Sequence, residues 1–240
     1  MRISSKAAFP LLLLPGTLCD DRLFAPLLDR LPDQDAMVIE MHDASDARVL
    51  GERILHNAPP RFALLGFSLG GIVALKMALM APARVVGLAL LDSNAQSVPE
   101  EVHGSRRAAV ARAEQLGFQC FVRDELWRTY MGEGSIDNLL LQALLIDMAQ
   151  RVGHANFALQ TEMALTRTDK RKQLHALSMP VLVLWGEEDV LCPAAGQREM
   201  AAAFLNATMA VVPGVGHFAL LEAPNLVAAH VAAWLEQIVC

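Results

Sequence analysis

The chain has 240 residues, 54% of them hydrophobic, with a formal net charge of −6 and a mean hydropathy of +0.34. That length suits one large domain, or one domain carrying an insertion. The negative balance removes the electrostatic footprint of a nucleic-acid binder. No apolar run approaches the roughly 18–20 residues of a membrane helix, so a large buried core accounts for the apolar surplus.

In chain order, short apolar runs alternate with longer helical patterns. Strands are expected at 10–14, 36–41, 62–66, 85–91, 180–185 and 208–212, each bounded by Gly, Pro or Asp. Runs apolar on both faces suit a parallel sheet buried between helices. Helices are expected at 21–31, 46–57, 69–80, 194–204 and 224–238, with Pro193 and Pro224 where a first turn tolerates a missing N–H. From 97 to 176 no strand pattern occurs. Helical patterns at 99–116, 118–131, 135–151 and 154–168 are separated by Gly117, Gly132, Gly134 and Gly153. The expected architecture is therefore α/β, a mostly parallel sheet of about six strands with helices on both faces. Residues 1–96 and 177–240 form its core, and 97–176 is an inserted all-helical segment.

The first run, FPLLLLPGTLCD from Phe9 to Asp20, follows Arg2 and Lys6 and invites comparison with a secretion leader. Pro10 and Pro15 interrupt it, no A-x-A pattern follows, and Leu18 is bulky where a lipoprotein site needs a small residue. It reads as a core strand. Cys19, Cys120, Cys192 and Cys240 make no C-x-x-C pair and no zinc-like spacing with His. The expectation is reduced thiols in a cytoplasmic protein without a metal.

Chemistry concentrates in three places. Gly66-Phe67-Ser68-Leu69-Gly70-Gly71 stands between an expected strand and an expected helix. A tight turn there lifts a serine hydroxyl clear of the sheet, and side chains at Gly66 or Gly70 would collide. A nucleophilic serine needs a base, and the base an acid to orient it. Gly186-Glu187-Glu188-Asp189 follows one later strand and Gly214-Val215-Gly216-His217-Phe218 follows the last. Both loops leave the carboxyl edge of the sheet, where ligands bind in open α/β folds. Asp92, Glu187 and Glu188 are rival acids, and His42 is a rival base.

With these motifs in the order Ser, Asp, His, the chain resembles the α/β-hydrolase superfamily in its helical-cap subgroup. GFSLGG is similar to the nucleophile elbow, GEEDVLCP to the acid loop and VGHFALLEAP to the histidine loop. The likeness extends over about residues 10–95 and 178–240. It is strongest to small carboxylesterases, a group that includes pimeloyl-carrier-protein methyl ester esterases. The resemblance implies Ser68, Asp189 and His217 as a triad, with the backbone N–H groups of Thr17 and Leu69 as the oxyanion hole. Pro15-Gly16-Thr17 stands where the family commonly has His-Gly-X, so a side-chain hydrogen bond is lost while the main-chain donor survives.

The expected activity is hydrolysis of a small-molecule carboxylic ester without metal or organic cofactor. Carbon–carbon hydrolysis, enol-lactone opening and cofactor-free perhydrolysis use the same triad. A non-catalytic binding protein on this fold is the alternative from another class. Dehalogenases and epoxide hydrolases carry Asp where Ser68 stands. Phe67, Leu18, Trp127, Tyr130, Phe157 and Phe218 are the expected pocket. Phe118, Phe121, Met131, Met148 and Met163 either join it or pack the cap's own core. Arg106, Arg107, Arg112, Arg123 and Arg128 either meet an anionic carrier or carboxylate, or pair with nearby acids on a solvated face. A carrier protein as partner has no further support in the sequence, and nothing in the sequence fixes the oligomeric state.

Overall fold

The computed structural model of the chain describes residues 9–238. Six strands form one all-parallel sheet in the order β2-β1-β3-β4-β5-β6. They are β1 Leu11–Leu14, β2 Ala36–Val38, β3 Phe62–Phe67, β4 Val85–Leu91, β5 Val181–Gly186 and β6 Ala207–Val212. The leucine run at the start is β1, wholly buried between β2 and β3. Its side chains alternate between two cores, Leu11 and Leu13 on one face, Leu12 and Leu14 on the other. Burying each leucine fully is worth about 1.5–3 kcal/mol, so every position of this doubly buried run favours a large apolar side chain.

The helices are α1 Ala25–Leu28, α2 Ala47–Asn57, α3 Leu69–Met80, α4 His103–Phe121, α5 Trp127–Tyr130, α6 Leu139–Leu165, α7 Ala194–Ala202, α8 Ala219–Glu222 and α9 Pro224–Leu235. Residues of α2, α3 and α7 fill one core; those of α1, α8 and α9, with much of α4 to α6, fill the other. None is long and apolar enough to cross a membrane among the described residues.

The expected helix over 21–31 is shorter. Asp21–Phe24 is a 3-10 turn, and α1 follows with Pro26 in its first turn. Pro26 has no N–H to donate back to Arg22 O, so an α-helix cannot run unbroken through it, and the Ala25 N–H donates to Arg22 O in a tighter turn instead. Between β4 and β5 lie only helices and turns. The helical path breaks at Gly117 (φ 73°) and Gly153 (φ 79°), where residues with a Cβ would be strained. α6 begins at Leu139 rather than 135, because the Asn138 side chain accepts from the Leu141 N–H at 3.2 Å and caps it there. Cys19, Cys120 and Cys192 are free thiols; Cys240 lies outside the described residues.

The chain leaves β1 for β2 on one side and returns to β3 on the other. The crevice beyond the carboxyl ends of β1 and β3 is thus the sheet's switch point, the place where such folds hold ligands.

Candidate active site

Ser68 is the first residue after β3 and stands before the first turn of α3, with φ 50° and ψ −115°. Such a conformation is costly for a residue with a side chain, and its surroundings impose it. The Ser68 N–H donates to Leu91 O at 2.9 Å, and the Ser93 hydroxyl donates to Ser68 O at 2.7 Å, so β4 and its loop grip the turn from both sides. The glycines leave the room. A Cβ on Gly66 would run into the Gly70 carbonyl, one on Gly70 into the Leu14 carbonyl, and one on Gly71 into the Ser93 side chain.

His217 reaches Ser68 from the loop after β6. Its Nε2 is 2.9 Å from Ser68 Oγ and its Nδ1 is 2.8 Å from Asp189 Oδ2. The other carboxylate oxygen of Asp189 accepts from the Leu191 and Cys192 N–H groups at 2.8 and 3.0 Å. Asp189 and His217 are both buried. The three side chains therefore form one hydrogen-bonded line from carboxylate to imidazole to hydroxyl.

The rival acids are engaged elsewhere. Glu187 accepts from the Gly214 N–H, and Glu188 from the Glu133 N–H. Asp92 is fully buried; its Oδ1 accepts from the Gly186 N–H at 2.8 Å and its Oδ2 has no partner among the described residues. Burial, reinforced by the charge of Asp189, pushes its carboxyl well above the usual range. Burial thus works against the charge that Asp92 would need to pair with an imidazolium. His42 lies on neither Ser68 nor a cavity-lining position.

The Pro15-Gly16-Thr17 loop packs against the elbow so closely that a Cβ on Gly16 would stand 3.2 Å from Ser68 Cβ. Thr17 and Leu69 both line the cavity that contains Ser68 and His217. Neither N–H has a hydrogen-bond partner among the described residues. The next N–H along, Leu18, is held by Gln160 Oε1 at 2.9 Å, and Gln160 Nε2 donates to Met41 O. Gln160 comes from α6, 142 residues away, and fixes the loop in place of the side-chain bond that Pro15 cannot make. Nothing local marks it in the sequence, since α6 carries other polar residues, Thr161 and Glu162 directly after it among them.

A second tie joins the same helical segment to the histidine loop. Glu222 accepts from the Gly216 N–H at 3.0 Å and the Gly132 N–H at 2.8 Å, and the His217 N–H donates to Tyr130 O at 2.8 Å. Burial raises the Glu222 carboxyl above its ordinary value.

The cavity holds about 280 Å³. Of the six expected pocket residues, Phe67, Tyr130, Phe157 and Phe218 line it. Leu18 and Trp127 do not. Both are buried in the core, and the Trp127 indole N–H donates to Ile136 O at 2.7 Å, which turns it inward. Phe121 and Leu126 line the wall as well, while Phe118 stacks on His154 at 4.1 Å. Of the five arginines noted in the sequence, Arg107, Arg112 and Arg123 pair with Glu162, Glu125 and Asp124. Arg106 instead lines the cavity, and so does Arg167, which sequence reasoning missed.

Asp189, Cys192 and His217 place potential metal-ligand atoms within 4.8 Å of one another. Asp189 Oδ2 and His217 Nδ1 already bind each other. Burial pushes the Cys192 thiol up, so no thiolate is on offer. The donor set suits a triad better than an ion.

The α/β hydrolase fold family matches residues 28–224. The chain belongs to that family. It is 31% identical over 241 residues to pimeloyl-[acyl-carrier protein] methyl ester esterase of Xanthomonas campestris pv. campestris, spanning 91% of each chain. It is 26% identical over 220 residues to the biotin biosynthesis bifunctional protein BioHC of Cellvibrio japonicus, covering 86% of this chain but only 43% of that larger protein. Among solved structures, a thermophilic esterase from Thermogutta terrifontis superimposes with a TM-score of 0.86 over 98% of this chain and 92% of its own, at 23% identity. That likeness is one of fold.

Proposed function

We propose that this α/β hydrolase cleaves carboxylic esters through Ser68, His217 and Asp189, by way of an acyl-enzyme. The observation that carries the reading is the unbroken line of hydrogen bonds, 2.8 and 2.9 Å, from Asp189 through His217 to a serine at the cavity wall. The family match and the relatives named as methyl ester esterases support the ester as the bond class.

The chemistry follows from the atoms present. Asp189 accepts a hydrogen bond from the Nδ1–H of His217, which keeps the ring's proton there and leaves Nε2 unprotonated and facing Ser68 Oγ. Oγ attacks the ester carbonyl carbon while its proton passes to Nε2. The carbonyl oxygen becomes an oxyanion, which the Thr17 and Leu69 N–H groups receive; preorganised dipoles of this kind stabilise the transition state more than the ground state. The tetrahedral centre collapses, the C–O bond breaks, and the alkoxide leaves with the proton from Nε2. Water then repeats the sequence on the acyl-enzyme, releasing the acid and restoring the serine hydroxyl.

Residues 97–176 serve as the cap over this site. Their phenylalanines, with Phe67 and Phe218 from the core, make the middle of the cavity apolar and fit a small to medium apolar acyl or alcohol group.

A fluorophosphonate probe tests the reading. The wild type is expected to label and Ser68→Ala not to. A panel of p-nitrophenyl esters, run beside an enol-lactone and a ring-cleavage dienoate, is expected to be turned over best at the ester. A folded wild type that never labels would favour a binding protein on a hydrolase fold. Faster turnover of the lactone or dienoate would reassign the bond.

A further inference from the structure

The charged side chains lining the catalytic cavity do not balance. They are Asp92, Arg106, Glu125 and Arg167. Burial favours the uncharged form of Asp92. Glu125 is clasped by Arg112 through both of its oxygens, at 2.8 to 3.0 Å. Two guanidinium groups remain. Neither Arg106 nor Arg167 forms an ion pair among the described residues.

Arg167 follows α6 and is half-buried. Its Nε donates to Gln96 O at 2.7 Å, Nη1 to Ala164 O at 2.9 Å and Nη2 to Asn94 Oδ1 at 3.3 Å. All three acceptors are neutral. A guanidinium has five N–H groups, so one on each terminal nitrogen is left over. Two N–H groups on one guanidinium are what binds a carboxylate or phosphate. Burial, and next the nearby charge of Arg106, lower its pKa to about 10, so the group still carries its charge at neutral pH. A half-buried charge beside a like charge and without a counterion lacks the compensation that charges withdrawn from water ordinarily have.

Arg167 also lines a second cavity of about 180 Å³, which shares Ile72 and Asn94 with the first. Arg48, Lys76 and Lys170 line that cavity against one acid, Asp46, whose carboxylate accepts from the Arg48 and Val49 N–H groups; Arg48 pairs with Glu52, and neither lysine makes an ion pair among the described residues. The excess of positive charge therefore continues beyond Arg167, away from the apolar middle of the catalytic cavity.

We propose that the substrate is an ester bearing an oxyanion, carboxylate or phosphate, at the end remote from the scissile bond, and that Arg167, with Arg106 beside it, binds that oxyanion. The proposal rests on the esterase reading above and narrows it. The apolar segment lies along Phe67, Phe121 and Phe157, and the anion meets Arg167 where the two cavities join.

The test compares matched substrates: monomethyl esters of straight-chain dicarboxylic acids, their dimethyl esters, and methyl esters of the same length ending in phosphate. Kinetic constants are measured for the wild type, Arg167→Met, Arg167→Lys and Arg106→Met. A hydrogen-bonded charge pair is worth roughly 10- to 100-fold. The wild type is expected to prefer an anionic ester over the neutral one, with the better anion showing which oxyanion the site takes. In Arg167→Met that preference ratio is expected to fall by about that factor through KM, with partial recovery in Arg167→Lys. Arg106→Met is expected to lower the ratio less.

A wild type that prefers the dimethyl ester, or a ratio unchanged in both methionine variants, overturns the proposal. Titration calorimetry with a free dicarboxylate and with inorganic phosphate keeps the two readings apart. Binding lost in Arg167→Met supports the anion site even if no ester is turned over, and equal binding in the variant counts against it. Circular dichroism checks that each variant is folded; if Arg167→Met is not, Arg167→Lys and Arg106→Met carry the comparison.

Discussion

Asp189→Asn is the sharpest perturbation of the proposed chemistry, because it changes one proton and little else. Asparagine keeps an oxygen to accept from the Leu191 and Cys192 N–H groups. Its amide nitrogen then faces His217 Nδ1, where the carboxylate stood at 2.8 Å. An NH₂ donor forces Nδ1 to accept, so the imidazole proton moves to Nε2. That nitrogen, 2.9 Å from Ser68 Oγ, then donates to the hydroxyl and cannot take its proton. The lost base and the lost countercharge together are expected to lower kcat by about 10⁴, or about 5.5 kcal/mol of barrier. Thermal stability changes little, since shape and backbone contacts survive. The assay is initial-rate hydrolysis of p-nitrophenyl butyrate, with melting curves on the same samples. Asp92→Asn, measured alongside, is expected to keep its turnover. Activity of Asp189→Asn within about tenfold of the wild type, or a collapse in Asp92→Asn instead, would refute the assignment.

Asp92 itself predicts a pH effect of a definite sign. Unfolded, it ionises near pH 4, while in the fold burial favours its protonated form well above that; the contribution of Asp92 to stability therefore falls as pH climbs past about 4. Asp92→Asn removes that dependence, so its melting temperature relative to wild type should rise between about pH 4 and pH 7, and a constant difference by calorimetry would contradict this. Gly70→Ala should cost at least about 3 kcal/mol, about 6–12 °C in Tm, because its Cβ meets the Leu14 carbonyl rather than a flexible side chain. Gly196→Ala, inside α7 with its nearest neighbour 3.8 Å away, should instead gain about 0.5–1 kcal/mol. Gln160→Leu strands the Leu18 N–H and the Met41 carbonyl in the interior, at about 1–3 kcal/mol each. It should also lower kcat by loosening the Thr17 loop; a variant that melts and turns over like wild type would deny Gln160 that positioning role.

The sequence by itself determined the local pieces: the strand–helix alternation, the breaks at Gly117 and Gly153, and the elbow GFSLGG. Each of these depends on residues a few positions apart, where periodicity, φ preference and turn sterics act directly. The acid and histidine loops were equally legible, since each is a short Gly-rich turn after a strand. Only the tertiary structure decided the rest. Asp92 and Asp189 both follow strands and look alike on paper; packing leaves one without water or countercharge and sets the other against His217. Gln160 secures a loop 142 residues away. Trp127 turns into the core while Arg167, in no motif, comes to the cavity. Burial and pairing of charge depend on what the folded chain brings alongside a residue, and no window of sequence around that residue contains it.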